Sequence, residues 1–242
     1  MKRFSISTSS VFYNYVVISR ITVRLMLLSL LVFLLDDCSG KSRKVKSSAE
    51  KTGQVVSAKD SSYLFNGVNL DGWEITNFGP QGPVYVSGDE IILGIGDGCT
   101  GITWKKDFPE VDYKVTLEAK RISGNDFFCG MTFPVGLEPC TLIVGGWGGT
   151  VVGLSSIDGY DASENETTTR MLFDKDRWYN ICLVVKKDSI KAFIDSAQVV
   201  GFVKGDRTLS IRPEVHLSKP FGIASWNTTA ALRNIRLERI AE

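Results

Sequence analysis

The chain is expected to fold as an all-β sandwich of two antiparallel sheets, of jelly-roll type. Three observations predict this. Short apolar runs rich in β-branched and aromatic residues recur along the chain, broken by Gly, Asn, Asp and Pro, the pattern of consecutive antiparallel strands. Glycine is frequent, at 23 of 242 residues, and helix-period patterns are scarce, which suits a chain of many tight turns. About a dozen strands over roughly 180 residues fill two packed sheets. The composition is 43% hydrophobic, 10% aromatic and 23% charged, ordinary for a globular domain with tails. The net charge of +1 lacks the basic stripe that nucleic acid requires.

The first segment, 1–38, is expected to be an export or lipoprotein signal. Lys2, Arg3, Arg20 and Arg24 precede an uncharged run from Leu25 to Leu35. A basic stretch before a short apolar one reads as a signal. The run is too short to span a bilayer, which needs about 20 residues. Cys38 stands where a lipoprotein cysteine would be. The residues before it, Leu35-Asp36-Asp37, differ from the small ones a lipobox carries. A plain signal and a lipid anchor both remain open. Residues 39–62 are rich in Ser and Lys and read as a flexible tether.

The sandwich is expected over 63–242. Asn66-Gly67 and Asp71-Gly72 are turns, and Trp73 opens a strand. Val84–Val86 and Ile91–Leu93 form a hairpin about Gly88-Asp89. Gly94 to Gly101 holds G-x-G-x-G, but no helix follows, so a nucleotide site lacks its context. Tyr113 to Ile122 alternates. Val115, Leu117 and Ala119 share one face, and Thr116, Glu118 and Lys120 share the other. If Phe133 pairs with Cys140 across the next turn, Cys129 faces Val144 rather than Cys140. Cys99, Cys129, Cys140 and Cys182 match no zinc spacing and read as small buried hydrophobes. Ser155 to Thr169 is the longest polar insertion, a length often functional. Trp178 to Val185 and Ile190 to Ile194 pair as a hairpin. Ile211 to Leu217 is expected to be extended, at an edge or in a loop because of Pro213. Phe221 to Trp226 and Ala231 to Ile240 close the sheets.

Candidate chemistry rests on few residues. Glu118 is a candidate general base and Lys120 an oxyanion stabiliser; a surface salt bridge explains the same pair. His216, the one histidine, is a candidate acid or base, with a structural role as the alternative; Arg212 and Glu214, on the same side of its segment, are candidate substrate-binding residues. Trp147, between Gly145-Gly146 and Gly148-Gly149, is expected to be exposed and free to stack on a sugar; a core tryptophan is the alternative. Asp158, Asp161, Glu164, Asn165 and Glu166 line one end of a groove or hold Ca²⁺ by oxygen, although their spacing is no EF-hand. No other cofactor is expected. Asn165-Glu-Thr and Asn227-Thr-Thr are glycosylation sequons.

Four segments carry a family resemblance. Leu64-Phe-Asn-Gly-Val-Asn-Leu-Asp-Gly-Trp73 is similar to the opening motif of the 3-keto-disaccharide hydrolase domain, long called DUF1080. Glu118-Ala-Lys120 resembles its Glu-x-Arg strand. Arg177-Trp-Tyr-Asn180 resembles its Glu-Trp-Asn segment, and Leu232-Arg-Asn-Ile-Arg236 its closing strand. The resemblance implies a concanavalin- or laminin-G-like sandwich. It also implies an exported protein that cleaves 3-keto-disaccharides or 3-keto-glucosides, with a carbohydrate partner; a non-catalytic carbohydrate-binding module is the alternative. The chain departs from the family at three places. Asn125 to Gly130 replaces Asn-Ser-Gly. Thr141 to Trp147 lacks the acid of Tyr-Glu-x-Gln, and Ser225-Trp226-Asn227 replaces Asp-His-Gly.

Overall fold

The computed structural model describes residues 61–241. The export signal, Cys38 and most of the tether lie outside the described residues. The described part holds fifteen strands in two antiparallel sheets, the jelly-roll-like sandwich expected. The strands are β1 (Ser61–Tyr63), β2 (Trp73–Ile75), β3 (Val84–Ser87), β4 (Glu90–Leu93), β5 (Cys99–Trp104), β6 (Tyr113–Gly124), β7 (Cys129–Val135), β8 (Glu138–Gly146), β9 (Val151–Ser155), β10 (Thr169–Arg170), β11 (Tyr179–Lys186), β12 (Ser189–Ile194), β13 (Ala197–Val203), β14 (Gly222–Trp226) and β15 (Thr228–Arg239). One sheet runs β13-β12-β11-β6-β15-β4-β3, with β1 added on β15. The other runs β10-β9-β8-β7-β14-β5-β2.

β6 shows why these residues make strands. Tyr113, Val115, Leu117 and Ala119 are buried while the residues between them are half-buried, because alternate side chains point to opposite faces. Its partner β11 repeats the pattern with Tyr179, Ile181, Leu183 and Val185. Across the core, Met131, Phe133, Leu142 and Val144 fill the inner face of the second sheet. Each large aliphatic side chain buried here contributes about 1.5–3 kcal/mol.

The hairpins close on residues that tolerate left-handed backbone. Asp195 (φ 48°) and Ser196 (φ 71°) join β12 to β13 with both φ positive, the geometry that matches strand twist. Phe133 pairs with Cys140 and Cys129 with Val144, the register expected. The four cysteines among the described residues are free. Three are buried and Cys182 is half-buried. Burial pushes the Cys99, Cys129 and Cys140 thiols up to about 12, so they stay protonated and unreactive near neutral pH.

Two expectations need correction. Ser61 and Ser62, assigned to the tether, are strand residues of β1 paired with β15. The segment around Pro213 is not extended: Pro213–Ser218 is a 3-10 helix. Proline has no N–H to donate and its φ suits a first helical position. An edge strand and a helix start therefore make the same demand on it, and sequence alone does not separate them. This helix lies in the long crossover from β13 to β14, residues 204–221. The crossover runs against the outer face of the second sheet: Thr103 Oγ1 donates to Leu217 O at 3.0 Å. A Cβ at Gly222 would stand 2.7 Å from Ser218 O.

Candidate functional site

Neither Glu118 nor Lys120 lines a pocket, although Asn234, a hydrogen-bond partner of Glu118, borders a cavity of about 290 Å³ with Tyr63, Phe65 and Asp89. Glu118 and Lys120 stand on the outer face of the first sheet. Glu118 accepts hydrogen bonds from Arg233 Nε (2.9 Å), Arg233 Nη2 (2.7 Å) and Asn234 Nδ2 (2.8 Å). Lys120 donates to Glu90 at 3.2 Å. The Lys120 ammonium and the Arg233 guanidinium both lie over the Trp178 ring, 4.4 and 4.1 Å from its centroid. Three of the four family motifs thus converge on one half-exposed network of ion pairs and cation–π contacts. The fourth is also a packing device. Asn66 Oδ1 accepts from Val68 N and Asn69 N, and Trp73 Nε1 donates to Leu64 O at 2.7 Å, closing the loop onto buried Leu64 and Phe65. Alternation correctly puts Glu118 and Lys120 on one face; it does not say which sheet meets a ligand. Glu118→Gln is expected to cost about 1–2 kcal/mol, since it weakens hydrogen bonds to a charged group, and to leave sugar handling unchanged. Thermal melts beside sugar-binding titrations check this. Lost binding at an unchanged melting temperature would return the chemistry to this face.

The pocket opens on the outer face of the second sheet. It measures about 210 Å³ and is lined by Cys99 of β5, Asp126 and Phe127 of the β6–β7 loop, Thr141 and Ile143 of β8, Trp147, Ser155 of β9, Trp226 of β14, and Arg212, Glu214 and Val215 of the crossover. Small residues make room for it. Gly101, Ala224 and Gly130 stand side by side across β5, β14 and β7. A Cβ at Gly130 would come within 2.9 Å of the Phe127 ring, so glycine there lets the ring lie over the sheet. Phe127 and Trp226 face each other with centroids 6.4 Å apart, and Trp226 N donates to Phe127 O. Trp147 projects from the β8–β9 turn, 38% exposed, with φ 46°. Thr141 Oγ1 and Thr132 Oγ1 share a hydrogen bond of 3.0 Å under the pocket.

Charge enters from two sides. Phe127 N donates to Asp126 Oδ1 at 2.7 Å, orienting that carboxylate. Arg212 Nη2 donates to Glu214 Oε1 and Nη1 to Asp161 Oδ2, both at 2.9 Å. The Arg212 hydrogen bonds hold the Glu214 carboxyl below its ordinary value, so it is ionised near neutral pH. The expected candidates therefore separate. Trp147, Arg212 and Glu214 come together in the pocket. His216, two residues on, is exposed and is not among its lining residues; the 3-10 turn, rather than an extended strand, sends it elsewhere. Asp158, Asn165 and Glu166 brace the polar loop instead. Asp158 accepts from Thr208 N (2.8 Å) and pairs with Arg207, while Arg207 Nη1 donates to Glu166 at 2.6 Å. Asn165 Nδ2 donates to Leu154 O and Asp161 O, both at 2.7 Å. These acids are engaged by arginines, and no group of three or more metal-capable side chains converges among the described residues.

Acid should loosen this bracing. Hydrogen bonds from Lys204 hold Glu138 below its ordinary value, and those from Thr208 N and then Arg207 do the same for Asp158. A folded value below the unfolded one gives stability that is complete above the unfolded pKa and lost as pH falls through the folded one. The melting temperature is therefore expected to drop below about pH 4.5, and to drop less in Arg212→Gln, where the Glu214 partner is already gone. Melts across pH check this.

Asp126, Phe127, Thr141, Ser155 and Trp226 were not anticipated. The usable signal was the departures from the family pattern: all three fall on this pocket.

Comparison with known proteins accords with the fold. The family model described as the 3-keto-alpha-glucoside-1,2-lyase-like domain matches residues 60–238. The chain belongs to that family. The sandwich of this 3-keto-alpha-glucoside-1,2-lyase-like family member also resembles that of solved structures at low identity. One is a protein assigned as a glycosyl hydrolase from Parabacteroides distasonis: 12% identity, TM-score 0.50, 75% of this chain and 94% of that one covered. Another is the Crh5 transglycosylase in complex with NAG: 16% identity, TM-score 0.52, 76% and 84% covered. A third is a Bacillus subtilis protein of galectin-like fold: 12% identity, TM-score 0.51, 70% and 90% covered. At such identities the likeness is one of fold. No curated protein matches the chain.

Proposed function

We propose that this protein takes one sugar ring of a 3-keto-disaccharide or 3-keto-glucoside into the pocket and cleaves its glycosidic bond. The observation that carries this reading is the convergence of Phe127, Trp147 and Trp226 with Arg212, Glu214 and Asp126 around one small cavity. Aromatic faces suit the apolar faces of sugar rings, and a few polar groups fix orientation. A volume of about 210 Å³ is below the usual range for drug-sized ligands and favours a single ring.

The chemistry follows from the ketone. A 3-keto group acidifies the neighbouring C2–H. A carboxylate, Asp126 or Glu214, accepts that proton, and the Arg212 guanidinium offsets the charge that develops on the ketone oxygen. The C1–C2 double bond forms as the C1–O bond breaks, and the leaving oxygen is protonated by water. Addition of water across the new double bond completes hydrolysis.

A second reading, binding without turnover, is favoured by one observation. β8 presents Thr141 and Ile143 to the pocket rather than an acid. Incubation with a 3-keto-disaccharide beside its unoxidised parent, following free sugar, separates the two. Turnover of the keto form alone is expected. Binding without release would establish the second reading, and neither would overturn both. The reading also places the chain outside the cytoplasm, by plain secretion or by lipid at Cys38. Labelling with a lipid precursor tests the anchor, and an unlabelled Cys38 removes it.

A further inference from the structure

Arg121 breaks the pattern of β6. The inward positions before it carry Tyr113, Val115, Leu117 and Ala119, and Arg121 follows at the fifth, only 8% exposed. Its hydrogen bonds go to backbone carbonyls rather than to a carboxylate. Nη2 donates to Asp126 O (3.2 Å), Gly145 O (3.3 Å) and Gly149 O (3.1 Å), while Nε is buried without a partner. The guanidinium lies 5.2 Å from the centroid of the Phe128 ring. Desolvation lowers its pKa, but a guanidinium stays charged in proteins. The nearby Asp126 carboxylate acts against that fall, yet taking a guanidinium out of water remains costly. An apolar side chain would continue the alternation without that cost.

Those three carbonyls have one thing in common. Asp126 and Phe127 form one wall of the pocket, and the turn between Gly145 and Gly149 carries Trp147. The turn closes on itself where Gly149 N and Thr150 N both donate to Gly146 O at 3.1 Å, and its one other bond to the Asp126 loop is long, from Gly148 N to Asp126 Oδ2 at 3.5 Å. Gly145, Trp147, Gly148 and Gly149 all have positive φ, at 79°, 46°, 80° and 100°, a backbone glycine permits but does not impose. The glycines also admit the guanidinium: a Cβ at Gly145 would stand 2.6 Å from Arg121 Nη2, and one at Gly149 3.3 Å away.

We propose that Arg121 is a positioning residue for the sugar pocket: one buried guanidinium ties the Trp147 turn to the Asp126–Phe127 loop and so sets the spacing of the rings that receive the ligand. This rests on the pocket's being the saccharide site. Arg121 touches no ligand itself. Lysine keeps the charge but not the planar fork that reaches three carbonyls, so Arg121→Lys spares the charge and removes the tie.

The test uses the full chain and its R121K, W147A and R121K/W147A variants, with the 3-keto derivative of maltose and maltose itself as probes. R121K is expected to weaken binding of the keto probe about tenfold, and to weaken it by less than about threefold once Trp147 is gone, because a positioning residue acts through what it positions. A buttress for the core alone would lower the melting temperature and leave the dissociation constant of the folded fraction unmoved. Amide hydrogen exchange supplies a readout that needs no ligand. Residues 145–150 should exchange faster in R121K, with β11 and β12 still protected; R121Q serves if R121K fails to fold. Unchanged exchange at 145–150 overturns the positioning role, as does an undiminished loss of affinity in the W147A background. A wild-type chain that binds neither probe while exchange responds as expected sinks the saccharide reading instead.

Discussion

Phe128→Ala is expected to cost about 3–5 kcal/mol of folding stability, the range for deleting a fully buried aromatic ring. For a domain of this size that is a fall of about 10 °C in melting temperature. Phe128 is 0% exposed and packs edge-on to Phe173, 5.1 Å between centroids, with Tyr179 at 6.0 Å. Its other face supports the Arg121 guanidinium. The truncation therefore opens a void and removes the one apolar platform beneath a buried charge, and the two losses add. Phe128→Leu, which keeps most of the volume, should cost less than half as much. Urea unfolding of the two variants measures the difference. A loss below about 1 kcal/mol for the alanine variant would mean that neighbouring side chains close the gap, and would deny the ring its supporting role.

Trp226→Ala is expected to weaken sugar binding by roughly 30-fold, or about 2 kcal/mol, as for a tryptophan at the centre of a binding site. Its ring is half-buried and shares the pocket wall with Phe127, so ligand area is lost along with the support that one ring gives the other. The cost to folding should be smaller than for Phe128, because the side chain faces outward rather than into the space between the sheets. Trp178→Ala is the control. It removes an aromatic ring of the same size from the outer face of the opposite sheet, where Lys120 and Arg233 cover it. Calorimetric titration with a 3-keto-disaccharide should show the affinity falling for the first variant and holding for the second. The reverse order would move the ligand to the other side of the sandwich.

Alternation made much of the fold legible. Val115, Leu117 and Ala119 pointed inward as their spacing required, and the Cys129–Val144 register followed from the turn between β7 and β8. Arg121 is the point where alternation misleads, since a charged side chain occupies an inward position. The site was less legible, for two physical reasons. A strand pattern says which residues share a face but not which face another segment will roof over. Only the crossover supplies Arg212 and Glu214 to the pocket, over 80 residues after Asp126, and no local pattern spans that separation. Glu118 looked like a base because it is an acid on a polar face. Arg233 and Asn234, which occupy it, come from a strand 115 and 116 positions away.

The crossover and the acidic loop are clasped to each other, through Arg207 to Asp158 and Glu166 and through Arg212 to Asp161, with Ser156 and Ser210 exchanging backbone hydrogen bonds between them. Each half supplies the charged partners of the other. Any attempt to transplant this ligand preference onto another sandwich must therefore move both halves as one cassette. Grafting Arg212 and Glu214 alone would deliver the charges without the frame that aims them.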